Sequence, residues 1–348
     1  MASILITGGC GYIGSHTAIE LLEKGEHDVI AIDNLSNSTV VTVDRVKEIT
    51  GKSMTFYQVD ACDPTAVNEV FERHPDIVGV IHFAALKAVG ESVELPLEYY
   101  QNNLLSLVNL LRACKEYEVA NFIFSSSCTV YGNVAQLPVT EATPLQEAES
   151  PYGNTKLVGE QIIRDFIRSQ EGVKAIALRY FNPVGAHASG QNGELPLNRP
   201  NNLVPIVTRV AAGWMPKLTV FGGDYPTRDG TCIRDYIHVT DISVAHIKAM
   251  DYLLNNQNQE AFEKINLGSG NGASVLEVIN AFEKVSGQKL NYEIGPRRPG
   301  DVVSIYSDSS LAEERLGWKA EKGIEEMMAS AWKWQVALNV ERETSEAV

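Results

Sequence analysis

Residues 7–14, TGGCGYIG, set Gly8, Gly11 and Gly14 at three-residue spacing between an apolar run (3–7, SILIT) and a helical pattern (13–24). Glycine there lets the backbone approach a pyrophosphate. The helix that follows offers free N–H donors and the positive end of its dipole. Glycine turns also serve plain packing, so the context decides. Asp33 ends a second apolar run (28–32, DVIAI), 19 residues past Gly14. A carboxylate at that point accepts hydrogen bonds from a ribose diol and repels a 2′-phosphate, which favours NAD over NADP.

Outward from this motif, apolar runs at 54–59, 77–83, 120–125 and 174–180 read as further short strands. Stretches 64–73, 97–117 and 153–169 join 13–24 as helical patterns. Strands apolar on both faces and separated by helices predict a doubly wound α/β fold, a parallel sheet covered on both sides. The 348 residues suggest two domains. After Asn182 the character changes, and 185–202, rich in Gly, Asn and Pro, reads as a long irregular loop that binds or closes over a ligand. An amphipathic helix at about 323–338 carries Trp332 and Trp334 as anchors of a smaller mixed α/β domain, and the chain reads as frayed from about Glu341. The expected division is a Rossmann domain at 1–181, with a returning segment near 236–254, and a second domain from 182–235 and 255–340.

Lys plus Arg number 29 against 44 Asp plus Glu, a net charge of −15 that argues against nucleic-acid binding. No apolar run approaches 20 residues, so neither a membrane span nor a signal peptide is expected. Cys10, Cys62, Cys114, Cys128 and Cys232 are scattered and odd in number, which reads as reduced thiols in the cytoplasm. His82, His187 and His238 lack metal-ligand spacing and read as structural, with no metal expected.

Two further segments carry chemistry. SSSCTVYG (125–132) follows the fifth strand, and SPYGNTK (150–156) opens the next long helix. Tyr152 and Lys156, four apart, share a helix face within about 6 Å. Using tyrosine as a base near neutrality requires lowering its pKa by about 3 units, roughly 4 kcal/mol. A cation at about 4 Å is worth on the order of 4 kcal/mol at an effective dielectric of 20. Lys156 together with a positive nicotinamide is expected to supply that shift. Ser127 stands upstream as a hydroxyl for the reacting oxygen.

TGGCGYIGSHT, HFAALKAVGESVELPLEYYQNN, FSSSCTVYG, SPYGNTK, RYFNPVGAHASG, PNNLVP and RDYIHVTD together resemble the UDP-glucose 4-epimerase family of extended short-chain dehydrogenases/reductases, from about residue 3 to 338. The G-x-x-G-x-x-G spacing fits that superfamily. The resemblance implies that Tyr152 takes the proton of the sugar 4-hydroxyl while hydride passes to tightly held NAD and returns to the opposite face of a 4-keto sugar. Lys156 would lower the tyrosine pKa and bind the nicotinamide ribose, and Ser127 would hydrogen-bond the reacting oxygen. Implied cofactor contacts are Gly8, Gly11, Tyr12, Ile13, Gly14, Asp33, Asn34, Asn37, Ser38, Asp60, Ala61, Phe83, Ala84, Ala85, Lys87, Asn102 and Tyr180, beside Ser127, Tyr152 and Lys156. Implied substrate contacts are Lys87, Ser127, Cys128, Thr129, Tyr152, Tyr180, Phe181, Asn182, Asn202, Leu203, Thr219, Phe221, Arg234, Tyr236, Arg298 and Asp301. A homodimer paired through 97–117 and 153–169 is implied as well.

The arginines of CIRDY and PRRPGD (Arg234, Arg297, Arg298) suit a diphosphate on physical grounds. Cys128, the Asn154–Thr155 spacer, Arg228 and Cys232 depart from the family pattern without removing a required group. Ile305 stands where some members carry tyrosine, which leaves room for a 2-acetamido group and hence UDP-GalNAc/UDP-GlcNAc. Three other readings compete. A nucleotide-sugar dehydratase needs a further acid/base pair, and Cys128 and Thr129 stand where related dehydratases place Asp-Glu. A net oxidoreductase needs cofactor exchange. A non-catalytic NAD-sensing protein has no need of Ser127, Tyr152 and Lys156 together.

Overall fold

The computed structural model describes residues 1–134, 136–197, 200–298 and 301–346. The chain begins β1 (Ser3–Thr7), α1 (Tyr12–Lys24), β2 (Asp28–Asp33), α2 (Val41–Thr50), β3 (Thr55–Gln58), α3 (Pro64–Arg73), β4 (Ile77–His82) and α4 (Val89–Glu94). It continues through α5 (Pro96–Glu116), β5 (Asn121–Ser127), a 3-10 turn (Cys128–Tyr131), α6 (Pro151–Ser169), β6 (Lys174–Tyr180), β7 (Asn182–Val184), α7 (Leu203–Ala211) and β8 (Leu218–Phe221). The last third holds β9 (Ile233–His238), α8 (Val239–Leu254), β10 (Phe262–Leu267), β11 (Gly272–Ser274), α9 (Val275–Ser286), β12 (Tyr292–Gly295), β13 (Ser304–Ile305), α10 (Ser310–Leu316) and α11 (Ile324–Glu346).

Seven parallel strands form the main sheet in the order β10-β6-β5-β4-β1-β2-β3. Strand order reverses between β1 and β4, so a crevice opens at their carboxyl ends. All five residues of β1 are buried, with apolar neighbours on both faces. One face is covered by α1, α8 and Trp318, the other by α3, α5 and α6. Local chemistry starts these helices: Asp63 caps α3 ahead of Pro64, and Ser150 caps α6 ahead of Pro151.

The second layer set is smaller. β9 pairs with β11, β13 and β7, while β8 and β12 form a separate parallel pair. Residues of α7, α9, α11 and β8 share one core there.

Three sequence expectations change. Phe262–Leu267 lies within the stretch assigned to the second domain, yet it forms the seventh strand of the main sheet, hydrogen-bonded to β6. Its inner residues Ile265, Asn266 and Leu267 are fully buried, whereas Phe262–Lys264 are partly exposed, as suits a sheet edge. Trp318, also assigned to the second domain, packs into the core under the main sheet. The chain beyond Glu341 continues α11 to Glu346, and Arg45 pairs with Glu341. The 185–202 loop is anchored within itself: Ala186 bridges Gly193, and Asn192 is buried. Asn198 and Arg199 of that loop lie outside the described residues, as do Pro299 and Gly300 of PRRPGD. Among the described residues, no helix is long and apolar enough to cross a membrane.

Candidate active site

The glycine loop turns back under α1. Gly8 (φ +70°) and Gly9 both donate to the Ile32 carbonyl, and Gly11 donates to that of Gly8. A Cβ on Gly8 would lie 2.9 Å from the Ala84 nitrogen, and one on Gly14 would overlap the Gly8 carbonyl oxygen. Only glycine therefore fits both positions. Gly11 caps α1 without a side-chain bond, and no acid stands in the first turn, so the leading N–H groups at Tyr12 and Ile13 face an anion-accepting end.

Asp33 closes the neighbouring strand. One carboxylate oxygen accepts from Cys10 N at 3.0 Å, and the other from Leu35 N at 2.9 Å and Ser38 Oγ at 2.8 Å. Asn34 and Asn37 beside it are exposed, as is Asp60, whose carboxylate accepts from Cys62 N. Ala61 is buried and bonded to Asn109. Across the crevice, Phe83 N and Ala84 N donate to the carbonyl and hydroxyl of Thr7, which carries the Ala85 and Lys87 segment beside the glycine loop. Asn102 donates to Asn103. An uncapped helix end, a cradle that a Cβ would fill and an oriented carboxylate at the ribose position all fit a dinucleotide.

Ser127 ends β5 and accepts from Thr129 N at 3.3 Å, while Tyr152 and Lys156 occupy one face of the first turns of α6. Lys156 Nζ lies 5.8 Å from the Tyr152 ring centroid and 5.1 Å from that of Phe124, and it donates to the Ser125 carbonyl at 2.7 Å. Burial pushes the Tyr152 phenol up to about 12, opposed by its hydrogen bond with Ser127. Burial also pushes the Lys156 ammonium down to about 7. The expected acidic phenol is thus not produced by the chain's own groups. Burial is the largest cause, and one of the three Lys156 ammonium donors goes to the Ser125 carbonyl. Tyr180 shares a short hydroxyl contact with Ser125.

The second domain brings another group together. Arg234 lies 3.5 Å from Asp301, and Arg298 reaches the same carboxylate at 2.8 Å while its guanidinium sits 5.6 Å from the Phe221 ring. Cys128 feels the charges of both Arg234 and Asp235, and burial holds its thiol up at about 12. Thr129 Oγ1 is buried with no hydrogen-bond partner among the described residues. Phe181 packs with Ile305, Val130 and Tyr131, and Asn182 is in register with Tyr236. Asn202 stands just before α7, which Leu203 opens, and makes no side-chain capping bond. Arg297, the third of these arginines, donates to Asp224 and lies 4.2 Å from the Tyr225 ring. The Thr219 hydroxyl is turned toward Glu293 at 3.5 Å.

Several supporting residues carried no local motif. Asn103 accepts from Leu86 N and donates to Thr155 Oγ1, which donates to the Tyr152 carbonyl, so it ties the 84–88 segment to the start of α6. Glu160, one turn past Lys156, accepts from Arg179 through both oxygens and from Ser126. Glu194 accepts from both Lys87 and Asn202. Only Arg179 had a sequence signal, a charge inside the otherwise apolar run 175–180 (AIALRY).

A family model described as GDP-mannose 4,6 dehydratase matches residues 5–331. The UDP-glucose 4-epimerase of Bacillus subtilis (strain 168) is 52% identical over 333 residues, which cover 96% of each chain. The crystal structure of UDP-glucose-4-epimerase from Stenotrophomonas maltophila, with bound NAD and formylated UDP-arabinopyranose, matches with a TM-score of 0.94 at 44% identity, covering 98% of this chain and 100% of that one. That of UDP-glucose 4-epimerase from Bifidobacterium longum, in complex with NAD+ and UDP, matches with a TM-score of 0.92 at 49% identity, covering 96% and 98%.

Proposed function

The chain belongs to the UDP-glucose 4-epimerases, NAD-dependent isomerases of the extended short-chain dehydrogenase/reductase family, and we propose that Tyr152 is the proton carrier of its reaction. The substrates are UDP-galactose and UDP-glucose, interconverted at sugar carbon 4 through a 4-keto sugar. The reading rests above all on the meeting of Ser127, Tyr152 and Lys156 at the carboxyl edge of β5, beside the crevice where strand order reverses.

NAD, when bound, supplies reversible hydride acceptance at carbon 4 and a positive ring charge. The N-terminus of α1 with Gly8, Gly11 and Gly14 takes its pyrophosphate, and Asp33 takes the adenosine ribose. Asn34, Asn37, Ser38, Asp60 and Ala61 surround the adenosine side, and Phe83, Ala84, Ala85, Lys87, Asn102 and Tyr180 the other. Tyr152 Oη takes the proton of the 4-hydroxyl and returns it, while Ser127 hydrogen-bonds the same oxygen. Lys156 holds the nicotinamide ribose and, when charged, favours the phenolate. Arg234 and Arg298, both already oriented by Asp301, receive the diphosphate end. Phe221, Asn202, Leu203, Thr219 and Tyr236 line the nucleotide, and Cys128, Thr129, Phe181 and Asn182 line the sugar. The free Thr129 hydroxyl is available to a sugar oxygen.

Conversion of UDP-galactose to UDP-glucose by the purified protein without added NAD tests this reading. A 4-keto-6-deoxy product would instead identify a dehydratase, which Cys128 and Thr129 disfavour because neither is a carboxylic acid. Accumulated NADH would identify a net oxidoreductase, and bound NAD without turnover a sensing protein.

Ile305 supports a second, wider specificity. Its aliphatic side chain lies in the cluster that holds Phe181, Val130 and Tyr131, and puts branched carbon where some members of the family carry a tyrosine. UDP-GalNAc and UDP-GlcNAc are accepted on this reading, and UDP-GalNAc yielding no UDP-GlcNAc under conditions that convert UDP-galactose rejects it. Pairing of two chains through α5 and α6 is supported by exposed Leu97 and Leu105 on α5, and light scattering decides it. Five free thiols accord with a cytoplasmic protein.

A further inference from the structure

The segment from Gly185 to Glu194 is clamped from two sides. On the α1 side, Tyr12 Oη donates to the Gly185 carbonyl at 2.7 Å, and the buried Asn192 amide donates to Ser15 Oγ at 2.9 Å. On the α11 side, Ser330 Oγ accepts from Ala186 N at 3.1 Å, and Lys333 Nζ donates to the Ala188 carbonyl at 2.6 Å. Trp334 Nε1 donates to the Glu194 carbonyl at 3.0 Å, and its ring lies so close to Gly193 that a Cβ there would overlap it. A strap held this way presents its last side chain from a fixed backbone.

That side chain is Glu194, only 12% exposed. One of its carboxylate oxygens accepts from Lys87 Nζ at 3.3 Å and from Asn202 Nδ2 at 2.9 Å. Lys87 follows β4 at the crevice and lies 6.0 Å from the Tyr12 ring, whereas Asn202 stands at the N-cap position of α7 in the second domain without a side-chain capping bond. One oxygen thus gathers a cation and an amide from opposite sides of the cleft. The Lys87 side chain is 49% exposed, so this ion pair contributes little to overall stability. What it does is hold two flexible donors in one place before a ligand arrives.

We infer that Glu194 is a positioning residue that acts through Lys87 and Asn202, orienting the cofactor side and the sugar-nucleotide side of the cleft together. The inference rests on the assignment above of Lys87 and Asn202 as ligand contacts. Nothing in the step of chemistry passes through Glu194 itself.

A double-mutant cycle separates this role from a merely structural one. Kinetics with UDP-galactose are measured for Glu194→Ala, alone and combined with Lys87→Ala plus Asn202→Ala. Glu194→Ala alone is expected to raise KM about tenfold with kcat changed less than threefold, and to move Tm by no more than about 3 °C. In the Lys87→Ala/Asn202→Ala background it is expected to add less than twofold. Glu194→Gln keeps an acceptor for Asn202 and the side-chain volume, so its effect should vanish with Lys87→Ala alone but persist with Asn202→Ala alone. It also serves if the alanine variant fails to fold. If Lys87→Ala and Asn202→Ala raise KM but Glu194→Ala multiplies it by the same factor in both backgrounds, the positioning role is overturned and the contact assignment stands. If Lys87→Ala and Asn202→Ala leave KM unchanged, the contact assignment fails and takes this inference with it.

Discussion

Lys156 Nζ donates to the Ser125 carbonyl at 2.7 Å, tying the active-site helix to the strand that ends at Ser127. The bond positions the ammonium but leaves it buried, which is why its pKa falls to about 7. A base whose folded pKa lies below its unfolded value binds fewer protons when folded. Between about pH 7 and the ordinary lysine range near 10.4, stability therefore rises with pH. In nucleotide-free protein, Tm should climb between pH 7 and 9, and Lys156→Met should be more stable than the parent at pH 7 with most of that slope gone. Equal slopes in the two proteins would show that Lys156 is not the group responsible.

Tyr152→Phe removes one hydroxyl from a site whose fold does not depend on it. Loss of a proton carrier typically costs 10²–10⁴-fold, so kcat should fall by about that range. Cofactor content, read from the absorbance of the released nucleotide, and Tm should stay near the parent values. Ordinary turnover by this variant would mean that another group carries the proton.

Burial drives His16, His82 and His238 down to about 3, and His246 to about 4. The unfolded chain binds these protons near pH 6.5 and the folded one does not, so stability rises with pH from about 3 to 6.5 and is lost on acidification through that window. His82 shows the cost locally. Thr7 Oγ1, which accepts from Ala84 N, also pairs with His82 Nδ1 at 2.7 Å, and the buried ring beside it would carry its charge away from water and toward Lys156. His82→Asn keeps an acceptor there and cannot titrate. Its Tm should fall less steeply than the parent's from pH 7 to 5, and parallel curves would sink the assignment.

The fold was legible where each segment announces itself locally. Ile4, Leu5 and Ile6 are buried on two faces, so 3–7 reads as a strand without its partners, and Ser3–Asp33 reads as one strand–turn–helix–strand unit. Phe262–Leu267 was hidden because Glu263 and Lys264 interrupt its apolar pattern and because it returns to the main sheet after a second-domain excursion. The site divides the same way. Tyr152 and Lys156 are four apart on one helix, a spacing that needs no tertiary knowledge. Glu194 meets Lys87 across 107 positions and Asn202 from another element, and no local pattern encodes such a meeting. The sign of the Tyr152 shift was also out of reach, since it depends on how deeply the phenol is buried.

Gly14→Ala and Gly90→Ala should differ sharply although both sit in helices. A methyl on Gly14 would overlap the Gly8 carbonyl oxygen and press on Gly9, both backbone atoms with little freedom to move. Nothing lies within 4 Å of a Cβ built on Gly90. Gly90→Ala should be neutral or stabilising by up to about 1 kcal/mol, while Gly14→Ala should lose bound NAD and about 1–3 kcal/mol or more. Nucleotide content and urea midpoints measure both, and full NAD retention in Gly14→Ala would show that the loop yields more easily than its contacts imply.

Arg179 and Glu160 form a buried ion pair, their side chains 1% and 6% exposed, with two bonds at 2.8 and 2.5 Å. The same guanidinium donates to Tyr131 Oη at 3.0 Å, and Glu160 accepts from Ser126 at 2.6 Å, one residue before Ser127. Removing one charge of such a pair leaves the other stranded away from water, at a cost of about 3–5 kcal/mol, whereas removing both avoids that penalty. Glu160→Gln should therefore lower the urea midpoint markedly. Adding Arg179→Met to it should restore part of the loss even though a further set of hydrogen bonds disappears. A double variant no more stable than Glu160→Gln would mean that the hydrogen bonds, and not the uncompensated charge, dominate behind the active-site helix.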